Sequence, residues 1–123
     1  MMEEMNLFGT DSKKADLERV KKDGMALRFV KDQTPEICLA AVNEYGNALQ
    51  YVKNQTTEIC MTAVKNDEYA LEYVRKQTQE ICLVAVRKNG YVLGYVRKQN
   101  PEICLEAIQQ NPEAKQYVRI ALD

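Results

Sequence analysis

A chain of 123 residues with 46% hydrophobic and 28% charged side chains is one folded domain or one small repeat array, and not a disordered segment. Its net charge of −1 gives no overall pull toward nucleic acid or acidic membranes, and no apolar run approaches the ~20 residues that span a bilayer. Histidine is absent and Ser12 is the only serine, which removes Ser–His and Cys–His nucleophile pairs, histidine metal sites and the usual neutral-pH base, so no enzyme is expected.

Residues 1–11 open as Met-Met-Glu-Glu-Met, acidic and without an apolar signal core, so a cytoplasmic location is the expectation. Met5, Leu7 and Phe8 in this extension are expected to form a lid over the first repeat. From Ser12 a 22-residue register runs onward without insertion, dividing the chain into repeats 12–33, 34–55, 56–77, 78–99 and 100–123. The first halves of the last four read T-P-E-I-C-L-A-A-V, T-T-E-I-C-M-T-A-V, T-Q-E-I-C-L-V-A-V and N-P-E-I-C-L-E-A-I. Their second halves read A-L-Q-Y-V, A-L-E-Y-V, V-L-G-Y-V and A-K-Q-Y-V, and the first copy diverges with D-L-E-R-V and A-L-R-F-V.

Each half predicts a short helix. Thr34, Thr56, Thr78 and Asn100 are good N-caps, and Pro35 and Pro101 come next at the first helical position, where proline loses no hydrogen bond. Glutamates stand one residue further on, near the positive helix end. Eleven residues later Asn111-Pro112-Glu113 repeats the pattern, so Asp23, Asp67 and Asn89 are expected to cap the second helices, with Gly24, Gly46 and Gly90 beside caps. The expectation is two helices of about eight or nine residues per repeat.

Apolar stripes such as Ile37, Cys38, Ala41 and Val42, then Ala48, Leu49, Tyr51 and Val52, suit helices that stack on neighbours. The predicted fold is therefore all-α: an α-solenoid of five 22-residue helix-turn-helix repeats with polar capping repeats at both ends. Lys115 in a leucine column, and Ala15, Asp16 and Arg19 in the first copy, mark those caps, so the array is expected to be complete. Leucine-rich repeats have a similar length but need an L-x-L strand, which this repeat lacks.

The motif E-I-C-L-x-A-V, a glycine-containing link and A-L-x-Y-V resembles the repeats of the family called domain of unknown function 4116, across residues 12–123. The resemblance implies a tandem helical module. It brings no established activity, substrate or catalytic residue, so no site is carried over from it.

Four columns recur at the repeat period. Cys38, Cys60, Cys82 and Cys104 stand ~10 Å apart in stacked layers, too far for disulfides or a shared metal, so no metal and no cofactor are expected. Phe29, Tyr51, Tyr73, Tyr95 and Tyr117 read as rings packed between repeats, with a base-stacking platform as the alternative. Gln33, Gln55, Gln77 and Gln99 are placed to bond the loop backbone. Lys31, Lys53, Arg75, Arg97 and Arg119 fall at helix ends, where cations suit the carbonyl end of the dipole.

Positions that stacking does not dictate speak most about partners. Tyr69 and Tyr91 share one outward position and are expected side by side with Tyr45 near; with Arg87 and Lys88 they form the candidate patch for another protein. The expected role is an adaptor or a stand-alone inhibitor of a larger assembly. Residues 75–99 also carry six cations against the single acid Glu80, a local excess of +5 that makes nucleic-acid binding the alternative.

Overall fold

In the computed structural model each repeat folds as an α-helix followed by a short 3₁₀ helix. The structure describes residues 10–122; the lid assigned to Met5, Leu7 and Phe8 lies outside them. In chain order, with η marking a 3₁₀ helix, the elements are α1 (Thr10–Lys22), η1 (Gly24–Phe29), α2 (Pro35–Glu44), η2 (Gly46–Tyr51) and α3 (Thr57–Asn66). They continue as η3 (Glu68–Tyr73), α4 (Gln79–Lys88), η4 (Gly90–Tyr95), α5 (Pro101–Gln110) and η5 (Pro112–Tyr117). Among the described residues there is no strand, which excludes the leucine-rich arrangement there. Helix α1 begins at Thr10, two residues inside the stretch assigned to the extension.

The α-helices start where the sequence places them. Thr34, Thr56 and Thr78 accept from the amides of Ile37, Ile59 and Ile81 at 3.2 Å, and Asn100 does the same for Ile103 at 2.9 Å. Asp23, Asp67, Asn89 and Asn111 cap the second elements by accepting from the amide two residues on. Tyr45, in the same position, cannot; there Asn66 of the next repeat accepts from Gly46 at 2.6 Å.

The second elements differ from the expectation of an eight- or nine-residue helix: each has six residues and 3₁₀ hydrogen bonding. The amides of Ala48 and Val52 donate three residues back, to Tyr45 at 2.9 Å and Leu49 at 3.0 Å. Length explains the choice. At a rise of about 2.0 Å per residue six 3₁₀ residues cover ~12 Å, closer than the ~9 Å of α-helix to the ~15 Å span of the facing ten-residue α-helix.

The elements form two layers. Each α-helix stacks on the α-helix of the next repeat, each 3₁₀ helix on the next 3₁₀ helix, and each 3₁₀ helix also packs on the following repeat's α-helix. Ile37, Ile59, Ile81 and Ile103 make one buried column between the layers, and Leu27, Leu49, Leu71 and Leu93 another. At the ends the columns turn polar. Lys115 replaces a fully buried leucine and is exposed, as are Ala15 and Arg19, while Val118, Ile120 and Leu122 fold against the last layer.

Glycine sets the spacing between layers. A Cβ on Gly24 or Gly46 would lie 2.5 Å from the carbonyl oxygen of Ala41 or Ala63 in the next repeat, and Gly90 is equally tight against Ala107. The equivalent residue of the third repeat is Glu68, and there the α3–α4 and η3–η4 contacts are the least extensive in the stack.

The glutamine column latches consecutive repeats. Gln55 donates through Nε2 to the Tyr73 carbonyl at 2.8 Å, and its Oε1 accepts from the Arg75 amide at 3.0 Å and the Cys60 thiol at 3.3 Å. Gln33, Gln77 and Gln99 bond the corresponding carbonyl and amide of their next repeats.

Candidate functional site

With three residues per turn, side chains of a 3₁₀ helix at i and i+3 lie one above the other. Residues two and five of each η element therefore form one outward column: Asn47 over Gln50, Tyr69 over Glu72, Tyr91 over Gly94, Glu113 over Gln116. The last residue of each is Phe29 or a tyrosine, and Tyr45 stands at the cap of η2. All seven tyrosines of the chain thus belong to the 3₁₀ layer or its cap.

Tyr69 and Tyr91 line the same trough, about 380 Å³, with Gly94, Tyr95, Tyr117 and Arg119. The two do not stack on each other. Tyr69 packs edge-on against Tyr95, centroids 6.2 Å apart and planes at 80°, and Tyr91 against Tyr117 at 6.1 Å and 76°. This is the favoured arrangement of ring quadrupoles. Tyr69 stays 43% exposed and Tyr95 37% exposed, so the walls present ring surface to solvent.

Hydrogen bonds hold the rings in place. The Tyr91 hydroxyl donates to Glu113 at 2.6 Å, and the Tyr69 hydroxyl accepts from Asn89 Nδ2 at 3.1 Å. The bond to Glu113 raises the Tyr91 pKa above the ordinary phenol value, with burial adding to it. Tyr73 is raised too, by burial and then by Glu72, Tyr45, Tyr51 and Tyr95, which places Tyr45 within reach of the tyrosine column although it lines no part of the trough.

The two basic members of the candidate patch stand apart from the trough. Arg87, near the end of α4, donates through Nε to Glu106 of α5 at 2.9 Å. Lys88 pairs with Glu68 at 3.4 Å, and Glu68 also accepts from Asn89 at 3.4 Å. Partial burial opposes the charge on Glu68, but its own backbone amide, Asn89 and Lys88 outweigh it and hold the carboxyl below its usual range. Lys88 therefore reaches Tyr69 only through the Glu68–Asn89 network.

Tyr95, Tyr117, Gly94 and Arg119 complete the trough; the sequence offers Tyr95 and Tyr117 only as packed rings or a base-stacking column, and does not mark Gly94 or Arg119 for a protein partner. One signal was present: Gly94 stands where the other repeats carry Arg28, Gln50, Glu72 and Gln116.

The opposite edge, where each η element returns to the next α-helix, carries the remaining columns. All four cysteines are free and buried. Burial raises each thiol pKa, for Cys82 to about 11, against a lowering by Arg97. Such thiols are poor nucleophiles. The cation column bonds to carbonyls of the preceding repeat: Lys53 to Lys31 at 3.1 Å, Arg75 to Val52 at 2.6 Å and Lys53 at 3.1 Å, Arg97 to Val74 and Arg75, Arg119 to Val96. The cations of residues 75–99 are thus divided among three places: α4–α5, the Glu68 network and this edge.

Among the described residues no helix is long and apolar enough to cross a membrane, and no group of three or more cysteine or carboxylate side chains is placed to hold a metal ion. A family model described as "Domain of unknown function (DUF4116)" matches three overlapping stretches, residues 34–79, 57–99 and 78–119. Successive matches step along the chain with the repeats, as the sequence resemblance implied. No curated protein and no solved structure matches the chain.

Proposed function

We propose that this chain, which belongs to the family described as domain of unknown function (DUF4116), is a non-enzymatic interaction module that holds a partner protein on the tyrosine face of its 3₁₀ layer. The observation that carries the reading is Gly94. Glycine inside a helical segment costs about 0.5–1 kcal/mol relative to alanine. Packing does not demand it here, because a Cβ would meet the Tyr117 ring at 3.4 Å, an ordinary contact. What the missing side chain does is uncover four tyrosine rings beside Arg119. Tyrosine and arginine are the residues that dominate binding hot spots, and rings already locked edge-to-face lose little freedom on association.

A solenoid that presents such a face suits an adaptor or a stand-alone inhibitor of a larger assembly, working in a reducing, cytoplasmic compartment where four free thiols persist. Nucleic-acid binding through residues 75–99 has less support: Arg87 is paired with Glu106 and Lys88 with Glu68, away from the other four cations of the stretch.

Affinity capture with quantitative mass spectrometry from the native host tests the proposal. Gly94→Gln fills the trough with the residue that Gln50 and Gln116 supply elsewhere, and Tyr69→Ala with Tyr91→Ala removes its walls. Both variants are expected to lose the same partner. An unchanged set of captured proteins would remove this reading.

A further inference from the structure

The edge opposite the caps of the 3₁₀ helices holds three consecutive troughs of about 410, 340 and 330 Å³. They form one groove: Lys53, Asn54 and Thr56 line both the first and second, Arg75 and Thr78 both the second and third. Each repeat contributes equivalent positions to it, so the groove has the 22-residue period of the fold.

The groove is strongly positive. Lys31, Lys53, Arg75, Lys76, Arg97 and Lys98 line its walls, and Lys76 and Lys98 are exposed. Among the described residues Asp32 is the sole carboxylate lining the groove. The glutamates after the helix caps, Glu36, Glu58, Glu80 and Glu102, lie outside the three troughs. Among the described residues none of these six cations makes an ion pair. Lys53, Arg75 and Arg97 are held by neutral backbone carbonyls, which fixes the position of each charge without neutralising it.

We propose that this groove docks an extended acidic peptide segment of a partner protein, with carboxylates at every third residue meeting the cations of successive repeats. Two features set the occupant. Stacked helices repeat at about 8–10 Å, and a polyproline-II strand advances ~9.3 Å for every three residues, so side chains at i, i+3 and i+6 keep step with the repeats. Among the described residues no aromatic side chain lines the groove, and all seven tyrosines lie in the 3₁₀ elements or the cap of η2. A single-stranded nucleic acid would find cations there but no ring on which to stack a base. The docking site is separate from the tyrosine trough, and either can fail alone.

Fluorescence anisotropy at low salt with three probes tests it: a labelled peptide of repeating Glu-Pro-Ala, a peptide of the same composition with its glutamates bunched at one end, and an oligouridylate of equal length. The repeating peptide is expected to bind most tightly. Lys76→Gln with Lys98→Gln should weaken it roughly tenfold; both side chains are exposed, and circular dichroism checks that the fold is kept. Tyr69→Ala with Tyr91→Ala should leave it unchanged. Equal affinity for the bunched peptide, tighter binding of the oligouridylate, no binding at all, or indifference to the lysine substitutions would each overturn the proposal.

Discussion

Gly46 lies so close to the carbonyl of Ala63 in the following repeat that a Cβ would sit 2.5 Å from the oxygen. The obstacle is backbone, which cannot swing aside as a side chain can. Gly46→Ala and Gly90→Ala are therefore expected to lower unfolding free energy by about 1–3 kcal/mol each. Glu68→Ala, at the same position in a repeat that already carries a side chain there, is expected to change it by about 1 kcal/mol or less, the scale of a half-exposed ion pair. Urea unfolding of the three variants checks the contrast. Equal losses at all three would mean that the glycines do not set the layer spacing.

The glutamine latch predicts a second contrast. Removing Gln77 leaves the Tyr95 carbonyl and the Arg97 amide without their partner. Gln77→Ala should cost about 2–4 kcal/mol, since each stranded backbone group costs roughly 1–3 kcal/mol and water recovers part of it. Among the described residues Gln116 bonds only the Glu113 carbonyl in its own turn, and it is exposed. Gln116→Ala is expected within about 0.5 kcal/mol of the parent.

The thiols and two hydroxyls carry a pH signature. The cysteines and Tyr73 and Tyr91 have folded-state pKa values above their ordinary ones. Above pH ~9 the unfolded chain gives up thiol protons that the folded chain keeps, so stability falls with rising pH. For Cys82 the loss continues to a pH of about 11. Thermal melts should be flat in this respect below pH ~8 and decline above ~9. A thiol reagent at pH ~8 should label the native protein slowly and the urea-unfolded chain at once. Rapid labelling of all four cysteines in the native state would contradict their burial.

How much of this was legible in the sequence differs between the two halves of the repeat. The α-helices could be read residue by residue, because Thr34, Thr56, Thr78 and Asn100 cap through a short local bond whose chemistry is a property of the residue itself. The 3₁₀ form of the second half could not. Ala48, Leu49 and Val52 are buried in either helix type, and six residues are too few for a period of about 3.0 to be told from one of about 3.6.

The trough was legible only in part. Tyr69 and Tyr91 stood out as variable aromatics, but Tyr69 pairs with Tyr95, a diagonal neighbour, rather than with its column mate Tyr91. That offset depends on how adjacent 3₁₀ helices are staggered, which no single repeat encodes. The sequence places the cation column at helix ends, yet only the fold shows that its members bond the repeat before their own.

Amide hydrogen exchange on the chain with and without a captured protein tests the proposed tyrosine-face docking directly. New protection is predicted in Glu68–Tyr73, Gly90–Tyr95 and Pro112–Tyr117, with the solvent side of α3, α4 and α5 unchanged. Protection confined to those α-helices, with the three 3₁₀ segments exchanging as before, would contradict a tyrosine-face docking site.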